Sequence, residues 1–276
     1  MATGDGAAFE KALASLEQDV EITQKTAAAV SRAIRVLQKA AKEGEVRKLN
    51  GALNAASQAI QALDRQFANA REGWSFDVDG YLGSGAFARE LMEAARKQGV
   101  RIFEQDERLF CYPSLVRVLS AFQSVQVDKK RDARVRPSVL ARLLKENQER
   151  PPRFKPEPFL ESLYEAYQKL DGAQKGKHMR SGRVVRLLDI YNLLTILPGQ
   201  TREYTQLEFT RDIYLLDGSG VTQTKKGAVV SFPASTGTKS LTGTLNIVTQ
   251  TGREKTYYGI AFNIPEQRAA GPGIQQ

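Results

Sequence analysis

One histidine, His178, and one cysteine, Cys111, are the only imidazole and thiol in 276 residues. A zinc site needs several such ligands, and a Ser-His-Asp or Cys-His mechanism needs a histidine held against its nucleophile. His178 lies in AQKGKHMRSG, a basic, glycine-containing connector, and is given no catalytic role. Cys111 falls inside the apolar run LFCY, so it reads as a buried structural thiol, and with no second cysteine an internal disulfide is impossible. No Gly-x-x-x-x-Gly-Lys-Ser/Thr phosphate loop occurs. The glycine-rich GYLGSG at 80–85 precedes a helix but follows no convincing strand, which argues against dinucleotide binding. These readings predict no cofactor, no metal site and no catalytic residues.

One enzymatic pattern remains. Asp128 and Lys130 stand two apart at a strand end, which resembles the D/E-x-K half of restriction-type nuclease sites. Glu104, Asp106 or Glu107 could supply the upstream carboxylate. Two carboxylates would hold Mg²⁺ while Lys130 stabilised charge at the phosphate. The competing reading is a charged hairpin turn, and it is favoured: the upstream acids fall in an apparent turn, and the parallel sheet of such nucleases is not evident.

The basic residues make a stronger pattern. Formal net charge is +9, and the excess is central: residues 81–200 hold 22 basic and 14 acidic side chains, against 10 and 11 in residues 1–80 and 8 and 6 in residues 201–276. Lys129, Lys130, Arg131, Arg134 and Arg136 precede one helix. Arg153 and Lys155 follow it, Lys175, Lys177, Arg180 and Arg183 occupy the next connector, and Lys225 and Lys226 tip a ribbon. Cations on connectors and turns grip phosphates without reading bases, so these thirteen residues form the predicted contact set for duplex DNA.

The elements that must carry them are legible in outline. Residues 9–41 and 46–70 place apolar side chains at steps of three and four, which predicts an antiparallel, coiled-coil-like helical hairpin serving a protein partner or self-association. Gly73–Gly85 reads as a boundary loop, with Trp74 and Phe76 covering the hairpin base. Then come a helix at 86–97, a β-rich stretch to Asp128, a helix from Pro137, a proline-rich link at 150–158 and a helix at 159–170. A short strand at 184–187, a helix at 189–197, a helix from a Thr205/Glu208 capping box to a stop at Gly218, a ribbon to Pro233 and a hairpin over 242–262 complete the pattern. The stretches Phe87–Pro113 and Phe209–Pro233 repeat one grammar: a helix, Gly-Val, a charged turn, and an apolar strand into proline.

Residues 157–233 follow the element order of a winged helix and resemble that fold. The implied architecture is α+β and helix-rich: a helical hairpin (1–76), a first winged-helix-like module (77–150), a second with a C-terminal β-hairpin (151–264), and a tail (265–276). Tandem winged-helix subunits of bacterial chromosome-handling or phage-defence ATPase complexes resemble this plan, as do tandem winged-helix transcription regulators. The resemblance implies a non-enzymatic DNA-binding adaptor, its backbone contacts sequence-tolerant, with an ATPase or nuclease subunit as partner. A transcription regulator is the alternative and the Mg²⁺-dependent nuclease a third reading. No apolar run of about eighteen residues and no leader-like amino terminus occur, which predicts no membrane partner and a cytoplasmic, nucleoid-associated protein.

Overall fold

The computed structural model describes residues 8–150, 154–172, 182–233 and 243–263. It is an α+β chain with an N-terminal helical hairpin and small antiparallel sheets. No helix among the described residues is long and apolar enough to cross a membrane. The chain divides into two interleaved units. The first comprises residues through Val100 together with Arg117–Lys145, and the second Arg101–Val116 and the residues from Glu146 onward.

The first unit opens with α1 (Ala8–Glu43) and α2 (Val46–Gly73), joined by a turn at Gly44, where φ is +68° and a side chain would strain the backbone. Phe9, Ala40, Ala52, Ala56 and Ala70 are the buried residues of the two helices, and half-buried Leu16, Val30, Leu37, Leu49 and Leu63 extend the seam. At its base the Phe9 ring lies 4.9 Å from Phe76, 4.9 Å from Tyr81 and 6.5 Å from Trp74, placing the two aromatics where the sequence predicts. Within the predicted boundary loop is a short helix, α3 (Val78–Gly83), because Asp77 accepts from the Gly80 N–H at 3.0 Å and so caps it. Helix α4 (Ala86–Lys97) buries Phe87, Leu91 and Ala95 and ends at left-handed Gly99.

Five short strands follow: β1 (Phe103–Gln105), β2 (Arg108–Cys111), β3 (Ser114–Leu119), β4 (Ser124–Val127) and β5 (Lys130–Asp132). The chain crosses between units within β3. In the first unit β4 pairs with β5 around the two-residue turn Asp128–Lys129, with Asp128 at φ +54°. Helix α5 (Pro137–Glu149) buries Leu140, Ala141 and Leu144.

In the second unit β1 pairs with β2 around Asp106–Glu107, both at positive φ, as a two-residue hairpin turn requires. Cys111 is buried, with Gln148 Nε2 3.3 Å from its sulfur. Helix α6 (Pro156–Gly172) starts inside the segment read as an irregular link, because proline in a first helical turn gives up no hydrogen bond the helix needs. Next come β6 (Val185–Arg186), α7 (Leu187–Leu194), α8 (Gln200–Glu203) and α9 (Gln206–Asp217). Thr205 and Glu208 form the predicted capping box on α9: the Glu208 N–H reaches Thr205 Oγ1 at 3.3 Å, and the Thr205 N–H reaches Glu208 Oε2 at 2.8 Å.

Four strands close the unit: β7 (Val229–Ser231), β8 (Leu245–Val248), β9 (Glu254–Tyr257) and β10 (Gly259–Asn263). The second arm of the hairpin predicted over 242–262 is two strands. β9 pairs with β8, and after Tyr258 the chain redirects so that β10 lies between β6 and β7. Tyr167, Phe209 and Phe262 are fully buried at the centre of this unit, with Leu160, Leu163, Leu187, Ile190 and Ile213 around them. Tyr112, which follows β2, donates from its hydroxyl to the Val248 carbonyl.

Candidate nucleic-acid interface

The structure sorts the predicted cations by what already holds them. In the first unit Arg136 is committed: its guanidinium meets Glu10 at 2.7 Å and Glu17 at 2.7 Å. Glu10 also accepts from the N–H and the hydroxyl of Ser138, at 3.0 and 2.7 Å, so the start of α1 is tied to the start of α5. Arg134 chelates Asp132 through two guanidinium nitrogens at 2.6–3.2 Å. Arg131 donates to Ser124 Oγ at 3.0 Å and to the Phe122 carbonyl at 3.2 Å, and its guanidinium carbon lies 4.4 Å over the Phe122 ring. Three of the five residues in this cluster therefore brace the fold. Lys129 and Lys130 are exposed at the β4–β5 turn and make no ion pair among the described residues.

The second unit repeats this division. Arg183 pairs at 3.0 Å with Asp171, whose side chain is only 4% exposed. Lys155, before α6, is exposed. Lys225 and Lys226 are exposed on the turn between residues 222–224 and 228–230, a ribbon held by Thr224 N–H to the Ala228 carbonyl at 2.9 Å and Val230 N–H to the Thr222 carbonyl at 2.8 Å. The Lys225 backbone N–H donates to Glu161 at 2.6 Å, which fixes the turn on α6 while leaving both ammonium groups to solvent. Arg153, Lys175, Lys177 and Arg180, and His178 with them, lie outside the described residues.

Sequence reasoning missed the acids. Glu10, Glu17 and Asp171 were invisible as partners because Glu10 and Glu17 lie more than a hundred positions from Arg136, and Asp171 twelve from Arg183. The only available signal was local: Asp132 two residues before Arg134.

Three of the four carboxylates of the nuclease reading belong to turns, and the fourth, Glu104, is a paired residue of β1. Asp106 and Glu107 are the turn between β1 and β2, and Asp128 begins the turn between β4 and β5. No group of three or more His, Cys, Asp or Glu side chains suited to a metal ion occurs among the described residues.

Glu10 gives this region an acid-sensitive contact. Burial works to raise its pKa, but the hydrogen bonds from Arg136 and Ser138 prevail and hold it below the ordinary 4.5. A depressed folded-state pKa contributes stability that is present above the unfolded value and is lost as pH falls through the folded value. Thermal melts should therefore show Glu10→Gln less stable than wild type near neutrality, with the gap closing below about pH 4. A gap independent of pH would mean the ionised form contributes nothing.

Compared with protein-family models, with curated proteins and with solved structures, the chain gives no match.

Proposed function

We propose that this chain is a non-enzymatic adaptor that holds duplex DNA by its backbone, within a bacterial DNA-handling or phage-defence complex whose ATPase or nuclease activity resides in a partner. The observation that carries the reading is the lysine pair at each of two hairpin turns, Lys129–Lys130 and Lys225–Lys226. All four are exposed: beside Lys129–Lys130 the side chains of Arg131, Arg134 and Arg136 are held within the protein, and Lys225–Lys226 stand on a turn fixed through the Lys225 N–H to Glu161. Mobile ammonium groups on a fixed turn suit phosphates rather than base edges.

The element order of the second unit supports a winged-helix reading. Helix α6, β6, α7, α9, β7 and β10 follow in sequence, and the sheet order β6-β10-β7 brings the first and last strands together. On that reading the wing is the connection from β7 to β10, which carries β8 and β9, and Lys225–Lys226 stand on the turn before β7. Helix α9 is then a core helix more than a reading helix. It buries Phe209, Thr210, Asp212, Ile213 and Leu216, its exposed residues are Gln206 and Asp217, and Asp217 is engaged by Lys255 at 2.5 Å. This disfavours base-specific regulation through α9, which would need free amide or basic side chains.

The test is fluorescence anisotropy of the full chain on a random duplex of about thirty base pairs across salt, where log affinity falls with log salt by roughly 0.9 per phosphate neutralised. Reversing Lys129 and Lys130 to glutamate should weaken every duplex alike and flatten that slope by about two. Failure to bind at low salt, or unchanged binding in the variant, overturns the proposal. Tight preference for one duplex would support the regulator instead. Mg²⁺-dependent cleavage abolished by Asp128→Ala would support the nuclease.

A further inference from the structure

Charge is distributed unevenly along the α1–α2 hairpin. Residues 22–63, the part around the Gly44 turn, hold seven basic and two acidic side chains, whereas residues 8–21 hold one and four, and residues 64–73 two of each. Between Ile22 and Lys42 there is no carboxylate. At about 100° per residue Arg32, Arg35, Lys39 and Lys42 fall within an arc of about 80°, and no other residue from 32 to 42 falls in it. Buried Ala40 and half-buried Val30, Ala33 and Leu37 mark the side of α1 that meets α2, roughly 160° away on the same wheel. The four cations therefore make a stripe on the outer face of α1, about 15 Å long at 1.5 Å per residue.

Followed toward the base, that outer face carries Glu10 and Glu17, the acids that take the Arg136 guanidinium at the start of α5. Its acidic half is satisfied within the chain, and its basic half is not. Arg32, Arg35 and Lys42 are exposed and make no ion pair among the described residues. Lys39 meets Glu43 only at 3.9 Å with both side chains largely in solvent, a pair that costs little to exchange for another anion. Lys25 and Lys48 lie outside the stripe and are paired with Glu21 and Glu45.

A partner for this stripe must offer anions in a row. An acidic protein would also need an apolar core at the contact, and the stripe has no apolar position. One strand of a duplex presents a phosphate about every 3.4 Å of axis, roughly four over the length of the stripe. We propose that the outer face of α1 lies along the phosphate backbone of duplex DNA, held by Arg32, Arg35, Lys39 and Lys42, so that the hairpin is a DNA-holding arm. This rests on the DNA-binding reading and gives it a contact separate from the lysine turns. Arg32 stands about 22 Å along α1 beyond Glu17, so the arm grips the duplex away from its own attachment to α5.

The test is anisotropy of the full chain on the labelled random duplex of about thirty base pairs across salt. Arg32→Gln with Arg35→Gln should flatten the slope of log affinity against log salt by about 1.8, two contacts at roughly 0.9 each. At 0.1 M salt, one decade below 1 M, the same loss weakens binding about sixtyfold. Far-UV circular dichroism should stay that of wild type, because both side chains are exposed and glutamine suits a helix nearly as well as arginine. Arg65→Gln with Arg71→Gln, which removes the same charge from α2 near the base, should leave the slope within about 0.5 of wild type. Wild-type affinity in Arg32→Gln/Arg35→Gln overturns the proposal and assigns the stripe to an acidic protein. Equal losses in the two double variants overturn it as well, since net charge alone would then explain them. If Lys129→Glu/Lys130→Glu weakens binding while Arg32→Gln/Arg35→Gln does not, the arm is excluded and the DNA reading stands; a wild-type chain that binds no duplex overturns both.

Discussion

Replacing Phe262 with alanine should cost the second unit about 3–5 kcal/mol, the range for removing a large aromatic from a well-filled core. The Phe262 ring is fully buried, 4.9 Å from Tyr164 and 5.0 Å from Tyr167, both on α6. Its strand, β10, is the middle of three, pairing through Ala261, Phe262 and Asn263 with β7 and through Gly259 and Ile260 with β6. The cavity would therefore open where helix and sheet meet, with little freedom for either side to move in. Urea unfolding followed by far-UV circular dichroism measures the loss. Phe262→Leu, which keeps most of the volume, should recover more than half of it, and equal losses for both variants would show that strand geometry, not packing, is what the ring supports.

Glu90→Ala is the second large effect, on the order of 3 kcal/mol, because it strands donors in a buried place. Glu90 is 4% exposed and accepts from the Phe9 N–H at 3.2 Å, the Glu10 N–H at 2.8 Å and the Tyr81 hydroxyl at 2.5 Å. Two of these donors belong to the first turn of α1, whose amides have no partner within their own helix. A carboxylate on α4 thus does for α1 what a capping side chain does locally, and its charge suits the helix amino terminus. Burial and then the Glu90 carboxylate push the Tyr81 phenol far above its ordinary pKa, so it remains a donor through the accessible pH range. Tyr81→Phe should cost about 1 kcal/mol, since it removes one bond and strands no donor. Trp74, the only tryptophan, lies 6.5 Å from Phe9, so its emission reports the release of this end. An emission midpoint unmoved in Glu90→Ala would show that α1 is held without the cap.

What could be read from the sequence is what local rules determine. The Thr205/Glu208 box, the glycine stops after α4 and α9, and the heptads of the hairpin each depend on residues within one or two turns, and each is present. A charge count along the chain cannot show what folding brings together. Counted along the chain, residues 1–80 are nearly neutral, but folding back at Gly44 gathers Arg32, Arg35, Lys39, Lys42, Arg47 and Lys48 at one end, where Glu43 and Glu45 pair with Lys39 and Lys48. In the same way Arg136 reads as a phosphate contact until Glu10 and Glu17 arrive from far earlier in the chain. The split of 255–262 into β9 and β10 was also out of reach, since a run of alternating residues does not say that its two halves pair with different strands.

The place of β10 bears on synthesis. Strands β6 and β7 leave the ribosome well before the one that joins them, and α6 and α7 emerge with the apolar surface that Phe262 will cover. Until residue 263 is free, β6 and β7 have no strand to join them, and the unit's complete hairpins are β1–β2 and β8–β9. A nascent chain stalled earlier would present that surface to chaperones, whereas the hairpin, whose two helices are neighbours in sequence, has already closed.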